Sequence, residues 1–312
     1  MIAGADIRKP LVKKAGLTIL KTLAYFDIFD YPLSENEIQD FLQEDIDNSI
    51  FAETMKQLVV DRIVFSSDGF YALDNNPARI QRRLEGNQRA RELLPTARKI
   101  GAFLFRFPYV HGVAISGSLS KNYADKNGDI DFFIITKANR LWIARTILHL
   151  FKKITFLVGR QHYYCMNYFI DEEALCIPER NIYTATEVIT LLTVAGSAAM
   201  NDFFEANAWS KEWFPVHAPD KALEVSDNII TLKKFSERIL NWNRLDTFLF
   251  RLTSRRWRKK EMRRLKNSKG RVMNLITGKH FSKSDPEAFQ QRILSLYQGR
   301  IRKLADRWGM VD

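Results

Sequence analysis

Residues 113–136 read VAISGSLSKNYADKNGDIDFFIIT, and this stretch decides the fold that we predict. Two apolar runs, 113–115 and 132–135, are bounded by glycine and polar residues, which is typical of buried strands. Because side chains alternate between the two faces of a strand, Asp129 and Asp131 are expected to share one face. The stretch therefore predicts two strands joined by a polar loop, with paired carboxylates where the second strand begins.

The paired aspartates and the Gly-Ser turn before them predict a site for a phosphate and a divalent cation. Two carboxylates about 6 Å apart repel by roughly 3 kcal/mol at an effective dielectric constant of about 20, and a bound cation removes this cost. Mg²⁺ takes hard oxygen ligands, often one or two carboxylates together with substrate phosphates. Since glycine lets backbone amides come close to an anion, Gly117 and Ser118 are candidates for phosphate binding. With Asp129 and Asp131 as candidate metal ligands, the pattern indicates phosphoryl or nucleotidyl transfer.

This stretch resembles the signature of the DNA polymerase beta-like nucleotidyltransferase superfamily. That signature is a hydrophobic residue, Gly and Ser, a gap of about ten residues, and then Asp-hydrophobic-Asp-hydrophobic. Here ten residues separate Ser118 from Asp129. The resemblance covers roughly residues 90–205. It implies a nucleotidyltransferase core with a small mixed sheet, which binds a nucleoside triphosphate and Mg²⁺ and uses Asp129 and Asp131 in catalysis.

The resemblance extends to Lys121, whereas this sequence departs from the superfamily pattern at two positions, Asn122 and Asn167. Lys121 falls where the superfamily often has a basic residue near the triphosphate, whereas Asn122 stands where many members carry glycine. A third carboxylate usually lies on a later strand, where it helps to hold the metal and takes a proton from the attacking hydroxyl. The aligned residue here is Asn167, whose amide cannot act as a base. Asp171 is the alternative third ligand, although four residues along a strand span about 13 Å.

We predict an α/β (α+β) architecture in three parts: a winged-helix-like module at 1–76, the nucleotidyltransferase core at 77–205, and a helical C-terminal region at 206–312. Residues 1–14 are expected to be poorly ordered. Three helices and a hairpin suggest the winged-helix-like module. Its segment 34–61 holds eight acidic residues and one basic residue, which argues against DNA binding because phosphates would be repelled.

Two further segments were interpreted from periodicity and charge. Thr184 and Glu187 have the spacing of a capping box, which predicts one helix from Thr184 to Ala206. Residues 251–271 hold eleven Lys and Arg residues against one acidic residue. That density indicates contact with a nucleic acid or another polyanion, or a basic segment that has no partner.

Composition limits the class of protein. The chain has 312 residues, a net charge of +12 and 46% hydrophobic residues, which is enough for two or three domains with real cores. Cys165 and Cys176 are the only cysteines and are expected to be reduced, as in a cytoplasmic protein. No signal peptide and no membrane span are expected.

Two functions remain open from the sequence. The first is a Mg²⁺-dependent enzyme that moves a nucleoside monophosphate to an acceptor hydroxyl, with the acceptor and the base of the nucleotide unidentified. The second is a binding or regulatory protein that keeps this fold but lacks turnover, which Asn167 favours. A nucleic-acid-binding role for residues 251–271 is a third interpretation.

Overall fold

The computed structural model describes residues 3–126, 128–157, 163–217, 233, 237–238, 243–263, 275–285 and 288–308. Its helices are α1 (Ala3–Asp27), α2 (Glu35–Asp40), α3 (Asn48–Val60), α4 (Pro77–Leu104), α5 (Leu141–Leu157), α6 (Ile182–Ile189), α7 (Ser197–Ala206), α8 (Asn243–Met262) and α9 (Phe289–Trp308). Its strands are β1 (Leu33–Ser34), β2 (Phe65–Ser67), β3 (Phe70–Ala72), β4 (Val110–Ser116), β5 (Asp131–Thr136), β6 (Cys165–Asp171), β7 (Leu192–Ala195), β8 (Leu275–Thr277) and β9 (Phe281–Ser284). The fold is thus mixed α/β, as the sequence predicted.

The N-terminal part packs α1, α2 and α3 against a three-stranded antiparallel sheet in the order β1-β3-β2. The capping box at Ser34 and Glu37 starts α2, with each side chain bonded to the backbone amide of the other. Helix α1 begins at Ala3, so the expectation of a poorly ordered start was wrong for residues 3–14. This part contains the expected three helices and hairpin, and the winged-helix interpretation of them stays a prediction.

The central sheet has six strands in the order β7-β4-β5-β6-β9-β8. Strands β5 and β6 are parallel, whereas the other neighbouring pairs are antiparallel. The two strands beyond β6, β9 and β8, come from the C-terminal region that was expected to be only helical. The sheet therefore crosses the predicted boundary at residue 205, and the three-part division stays a prediction.

The two faces of this sheet are covered by different helices. One face packs its apolar side chains, among them Ile115 and Phe132, against α4 and α5. The other face, which carries Phe133, packs against α6 and α7. Helix α6 also joins the core of the N-terminal part, because Ile182 and Ile189 belong to that cluster. Helix α6 thus lies between the N-terminal part and the sheet.

The predicted helix from Thr184 to Ala206 was wrong, because the chain there forms α6, β7 and α7. Helix α6 is capped by Asn181, whose side chain accepts a hydrogen bond from the amide of Thr184. Gly196 separates β7 from α7 with a φ of +79°, and a Cβ there would lie 1.9 Å from the carbonyl oxygen of His111. Only glycine fits this close approach of two backbones.

A buried arginine on α4 joins the N-terminal part to the core. The Arg83 side chain is 2% exposed and bonds Glu37 at 2.5 Å. It also donates to the carbonyl of Pro32 at 3.1 Å, and its guanidinium lies 3.6 Å from the centre of the Tyr31 ring. The hydroxyl of Tyr31 in turn donates to the carbonyl of Lys121, beside the Gly-Ser turn. This chain of contacts connects α2 with the turn after β4.

Two other expectations concern disulfides and membranes. Cys165 and Cys176 are both free thiols. None of the helices in the described part of the chain has the length and apolar character needed to cross a bilayer.

Candidate active site

The Gly-Ser turn and the second aspartate meet where β4 and β5 pair. Ser116, the last residue of β4, lies opposite Asp131, the first residue of β5. Gly117 follows with a φ of +68°, and a Cβ built on it would lie 2.6 Å from Oδ2 of Asp131. The position therefore requires glycine both for its backbone conformation and for the carboxyl group beside it. The side chain of Asp131 faces the turn, as the motif predicted.

The turn itself is a single 3₁₀ turn over Leu119–Lys121. Ser118 is exposed, and its carbonyl accepts hydrogen bonds from the amides of Lys121 and Tyr123 at 3.0 and 3.1 Å. Asn122 ends the turn in the left-handed conformation, with a φ of +54°. Asparagine tolerates this conformation better than most residues with a Cβ, which accounts for Asn122 at a position where the superfamily often has glycine.

Asp129 and Asp131 influence each other electrostatically. Strand β5 begins at Asp131, so Asp129 precedes it and the expectation that both aspartates lie on one strand face was wrong; Ile130 between them is fully buried in the core on the α4 and α5 side. The pKa of Asp131 is raised to about 6, first by burial of the carboxyl and further by the negative charges of Asp129 and Glu187, against a hydrogen bond from Cys165 that lowers it. The carboxylates of Asp129 and of Glu187, which lies on helix α6, therefore both act on Asp131.

Lys121 connects the Gly-Ser turn to Glu187. Its ammonium group donates to the carbonyl of Gly117 at 3.1 Å and to Oε1 of Glu187 at 2.9 Å. Its side chain is 15% exposed and that of Glu187 is 32% exposed. The lysine is thus held at the turn by a partly buried ion pair with α6.

A cleft opens beside these groups on the α6 and α7 side of the sheet, with a cavity volume of about 100 Å³. Ser116, Asn167 and Glu187 line it together with polar groups of the C-terminal region, among them Lys283 and Asp285. Asn167 lies at an irregularity of the β5–β6 ladder, because Phe132 pairs with Met166 and Phe133 pairs with Tyr168. Such a bulge turns a side chain away from its regular direction. The structure thus brings Asn167 to the same cleft as Glu187.

Asp171 lies elsewhere. It is the last residue of β6 and pairs with Thr136, whereas Asp131 pairs with Cys165 at the other end of the strand, about 20 Å away. The carboxyl of Asp171 is fully buried and accepts hydrogen bonds from the amides of Asn139 and Glu173, at 3.0 and 3.1 Å, beside His280. The structure therefore does not bring this alternative third ligand to the Gly-Ser turn, and its contacts are those of a residue that fixes loops.

Comparison with known protein families supports the resemblance of this stretch to nucleotidyltransferases. Residues 97–184 match the family model of the nucleotidyltransferase domain. The match includes the Gly-Ser turn, both aspartates and Asn167, and it ends within α6. No curated protein and no solved structure matches the chain. The chain therefore carries a stretch similar to nucleotidyltransferase domains, and β7, β8 and β9 complete the sheet outside it.

Sequence reasoning gave Glu187 only a capping role and missed its place in the site. A usable signal was present, because Glu187 is the only charged residue between Ile182 and Asn201. A lone carboxylate on an apolar helix needs a partner or a function, since burying an unpaired charge is costly. The sequence did not reveal that this helix, α6, lies beside the Gly-Ser turn.

The basic segment 251–271 is described only in part. Residues 264–271 lie outside the described residues, and so do the side chains at 260 and 261. Five basic residues of this segment are exposed on α8: Arg251, Arg255, Arg256, Arg258 and Lys259. Contact with a polyanion through this segment stays a prediction.

Replacing Gly117 by alanine is expected to lower the free energy of unfolding by about 2–3 kcal/mol, because left-handed backbone strain of roughly 1–2 kcal/mol adds to a clash with Asp131. Gly69→Ala is the matched control, since Gly69 has a φ of +77° with nothing within 4 Å of the added Cβ. Urea unfolding measures both variants. Equal losses in the two would contradict the close approach of Asp131 to the turn.

In metal-free protein, Asp131→Asn is expected to stabilise the fold at pH 8 more than at pH 4. The folded-state pKa near 6 lies above the ordinary value of 3.8, so the native state binds the extra proton. The stability that comes from the protonated carboxyl is complete below about pH 4 and lost as the pH rises through 6. Asparagine does not titrate, so its advantage should grow by about 1–3 kcal/mol over this range. Urea unfolding with a chelator present measures it, and an advantage that shrinks toward pH 8 would contradict the raised pKa.

Proposed function

We propose that this protein is a nucleotidyltransferase that moves a nucleoside monophosphate from a nucleoside triphosphate to an acceptor hydroxyl and releases pyrophosphate. The observation that supports the proposal is the close approach of Gly117 to the carboxyl of Asp131. It brings the turn that we propose for phosphate binding next to one proposed metal ligand, within the stretch that matches the nucleotidyltransferase domain. Phosphoryl transfer is catalysed mainly by positioning and charge stabilisation, and these two features supply both.

The donor atoms at this site fit Mg²⁺. Asp129 and Asp131 offer hard carboxylate oxygens, and we propose that these two residues would hold the metal. Within the described ranges, no three His, Cys, Asp or Glu side chains form a group that could hold a metal ion. Two carboxylates together with substrate phosphates are nevertheless a common set for Mg²⁺. When bound, the metal would offset the negative charge of the phosphates during transfer.

The chain's own residues have separate roles in this proposal. Gly117 and Ser118 would present backbone amides to the phosphates, because glycine leaves room for an anion. Lys121 would pair with a phosphate, which requires its ammonium group to leave Glu187. Such an exchange places one positive charge between two negative groups, so nucleotide binding and release of Glu187 are coupled.

A second candidate function is nucleotide binding without turnover. Asn167 favours it, because an amide replaces the carboxylate that the superfamily usually has on this strand. In that case the fold would bind a nucleotide or a partner and the reaction would not follow. The same site would be used, so the two functions differ only in product formation.

Pyrophosphate release distinguishes the two functions. The purified protein is incubated with the four nucleoside triphosphates and Mg²⁺ in the presence of monosaccharides, amino sugars, hydroxyl-containing peptides and short RNAs. Release of pyrophosphate that requires both Mg²⁺ and one acceptor supports the transferase. Nucleotide binding by calorimetry with no pyrophosphate from any acceptor supports the binding protein.

Residues 251–271 are a separate proposal for a polyanionic partner. Their exposed arginines on α8 favour phosphate contacts, which release counterions and make the affinity depend steeply on salt. An RNA or DNA affinity that hardly changes between low and high salt would remove this proposal.

A further inference from the structure

We infer that Glu187, on α6, is the general base that accepts the proton of the attacking hydroxyl. The inference rests on the proposed function and assigns to a helix the carboxylate that β6 lacks at Asn167. Glu187 and Asn167 line the same cleft, next to Ser116 at the end of β4. A proton acceptor must come within hydrogen-bond reach of the reacting hydroxyl, and a cleft beside the metal ligands is where that hydroxyl would enter.

The surroundings of Glu187 hold it in place for this role. Its helix is fixed on two sides, by the N-terminal core through Ile182 and Ile189 and by the sheet core through Val188. Its side chain is 32% exposed, so one side is open to the cleft while the other bonds Lys121. Thr184 precedes it by one helical turn and also lines the cleft. The carboxylate is thus both accessible and supported by packed residues.

The ion pair with Lys121 gives an order to the steps. While Lys121 donates to Oε1 of Glu187 at 2.9 Å, this carboxylate oxygen is occupied and not free to accept a hydrogen bond from an acceptor hydroxyl. A nucleotide whose phosphate takes Lys121 would free the carboxylate. The base therefore becomes competent only after the nucleotide has bound.

The proposed step is balanced as follows. The oxygen of the acceptor hydroxyl forms a bond to the α-phosphorus, and the bond from that phosphorus to the bridging oxygen breaks. The electron pair leaves with pyrophosphate, and the hydroxyl proton moves to the carboxylate of Glu187. Glu187 then loses the proton to solvent once the product has left.

The test compares Glu187→Gln with Glu172→Gln in the full-length protein. Glu172 is a matched control because its carboxylate hydrogen-bonds the His111 ring, its side chain is also 32% exposed, and it follows Asp171 at the far end of β6. With ATP, Mg²⁺ and an acceptor that supports pyrophosphate release, we expect kcat to fall about 10²–10⁴-fold in Glu187→Gln and less than threefold in Glu172→Gln. Calorimetry with a non-hydrolysable ATP analogue should show equal or tighter binding by Glu187→Gln, because Lys121 loses a competing partner.

A second variant tests the chemical role directly. Adding Asn167→Asp to Glu187→Gln returns a carboxylate to the cleft and is expected to recover at least tenfold in kcat. A kcat of Glu187→Gln within threefold of the wild type, or weaker analogue binding by this variant, would overturn the inference while leaving the transferase intact. If the wild type releases no pyrophosphate with any acceptor, both the transferase and the base assignment fail.

Discussion

Nucleotidyl transfer is expected to fall about a thousandfold or more when Asp131 is replaced by asparagine. The carboxyl faces Gly117, and its loss removes half of the acidic pair that we propose to hold Mg²⁺. A metal ion contributes several kcal/mol of charge stabilisation, and about 4 kcal/mol corresponds to a factor of about a thousand in rate. The measurement is Mg²⁺-dependent pyrophosphate release.

The same variant should remain folded, since the neutral amide is expected to stabilise the metal-free protein above pH 6. Loss of activity with a gain in stability is the signature of a carboxylate kept for function rather than for folding. Because unfolding would by itself abolish activity, circular dichroism accompanies the assay to establish that the variant is folded. A folded variant with wild-type turnover would remove Asp131 from the site.

Arg83→Met is expected to cost about 3 kcal/mol of unfolding free energy, the largest loss of stability that we predict. The arginine is 2% exposed and its partner Glu37 is 25% exposed, so removing the guanidinium leaves a largely buried carboxylate without its ion pair. It also removes hydrogen bonds to Pro32 and Asn87. Urea unfolding measures the effect.

Arg82→Met is the control, because Arg82 is 40% exposed and its partner Asp125 is 62% exposed, at a distance of 3.2 Å. Exposed pairs of this kind contribute about 1 kcal/mol or less. If the two variants lose the same stability, the buried junction between α2 and α4 does not hold the N-terminal part in the way described. A weaker nucleotide affinity in Arg83→Met would further indicate that Tyr31, which contacts both Arg83 and Lys121, couples this junction to the Gly-Ser turn.

The local pattern of residues 113–136 predicted the two strands, the turn between them and a carboxylate beside the turn. These features follow from the alternation of side chains on a strand and from the backbone conformations that glycine allows. These features belong to neighbouring residues of single elements, and periodicity and backbone conformation determine them.

The features that the sequence did not reveal depend on distant contacts. Residues 184–206 have apolar positions that suit a helix, but pairing with β4 and the close approach at Gly196 make 192–195 a strand. Strands β8 and β9 are short, and they form a sheet only because β9 pairs with the distant strand β6. Glu187 joins the site for the same reason, since α6 is positioned by two cores at once.

The most direct test of the account is a crystal structure of the protein with a non-hydrolysable nucleoside triphosphate and Mg²⁺. The account predicts the triphosphate against Gly117 and Ser118, with the metal about 2.1 Å from carboxylate oxygens of both Asp129 and Asp131. It also predicts that the ammonium group of Lys121 has moved from Glu187 to a phosphate. A nucleotide bound elsewhere, or bound at this turn with both aspartates turned away from the metal, would contradict it.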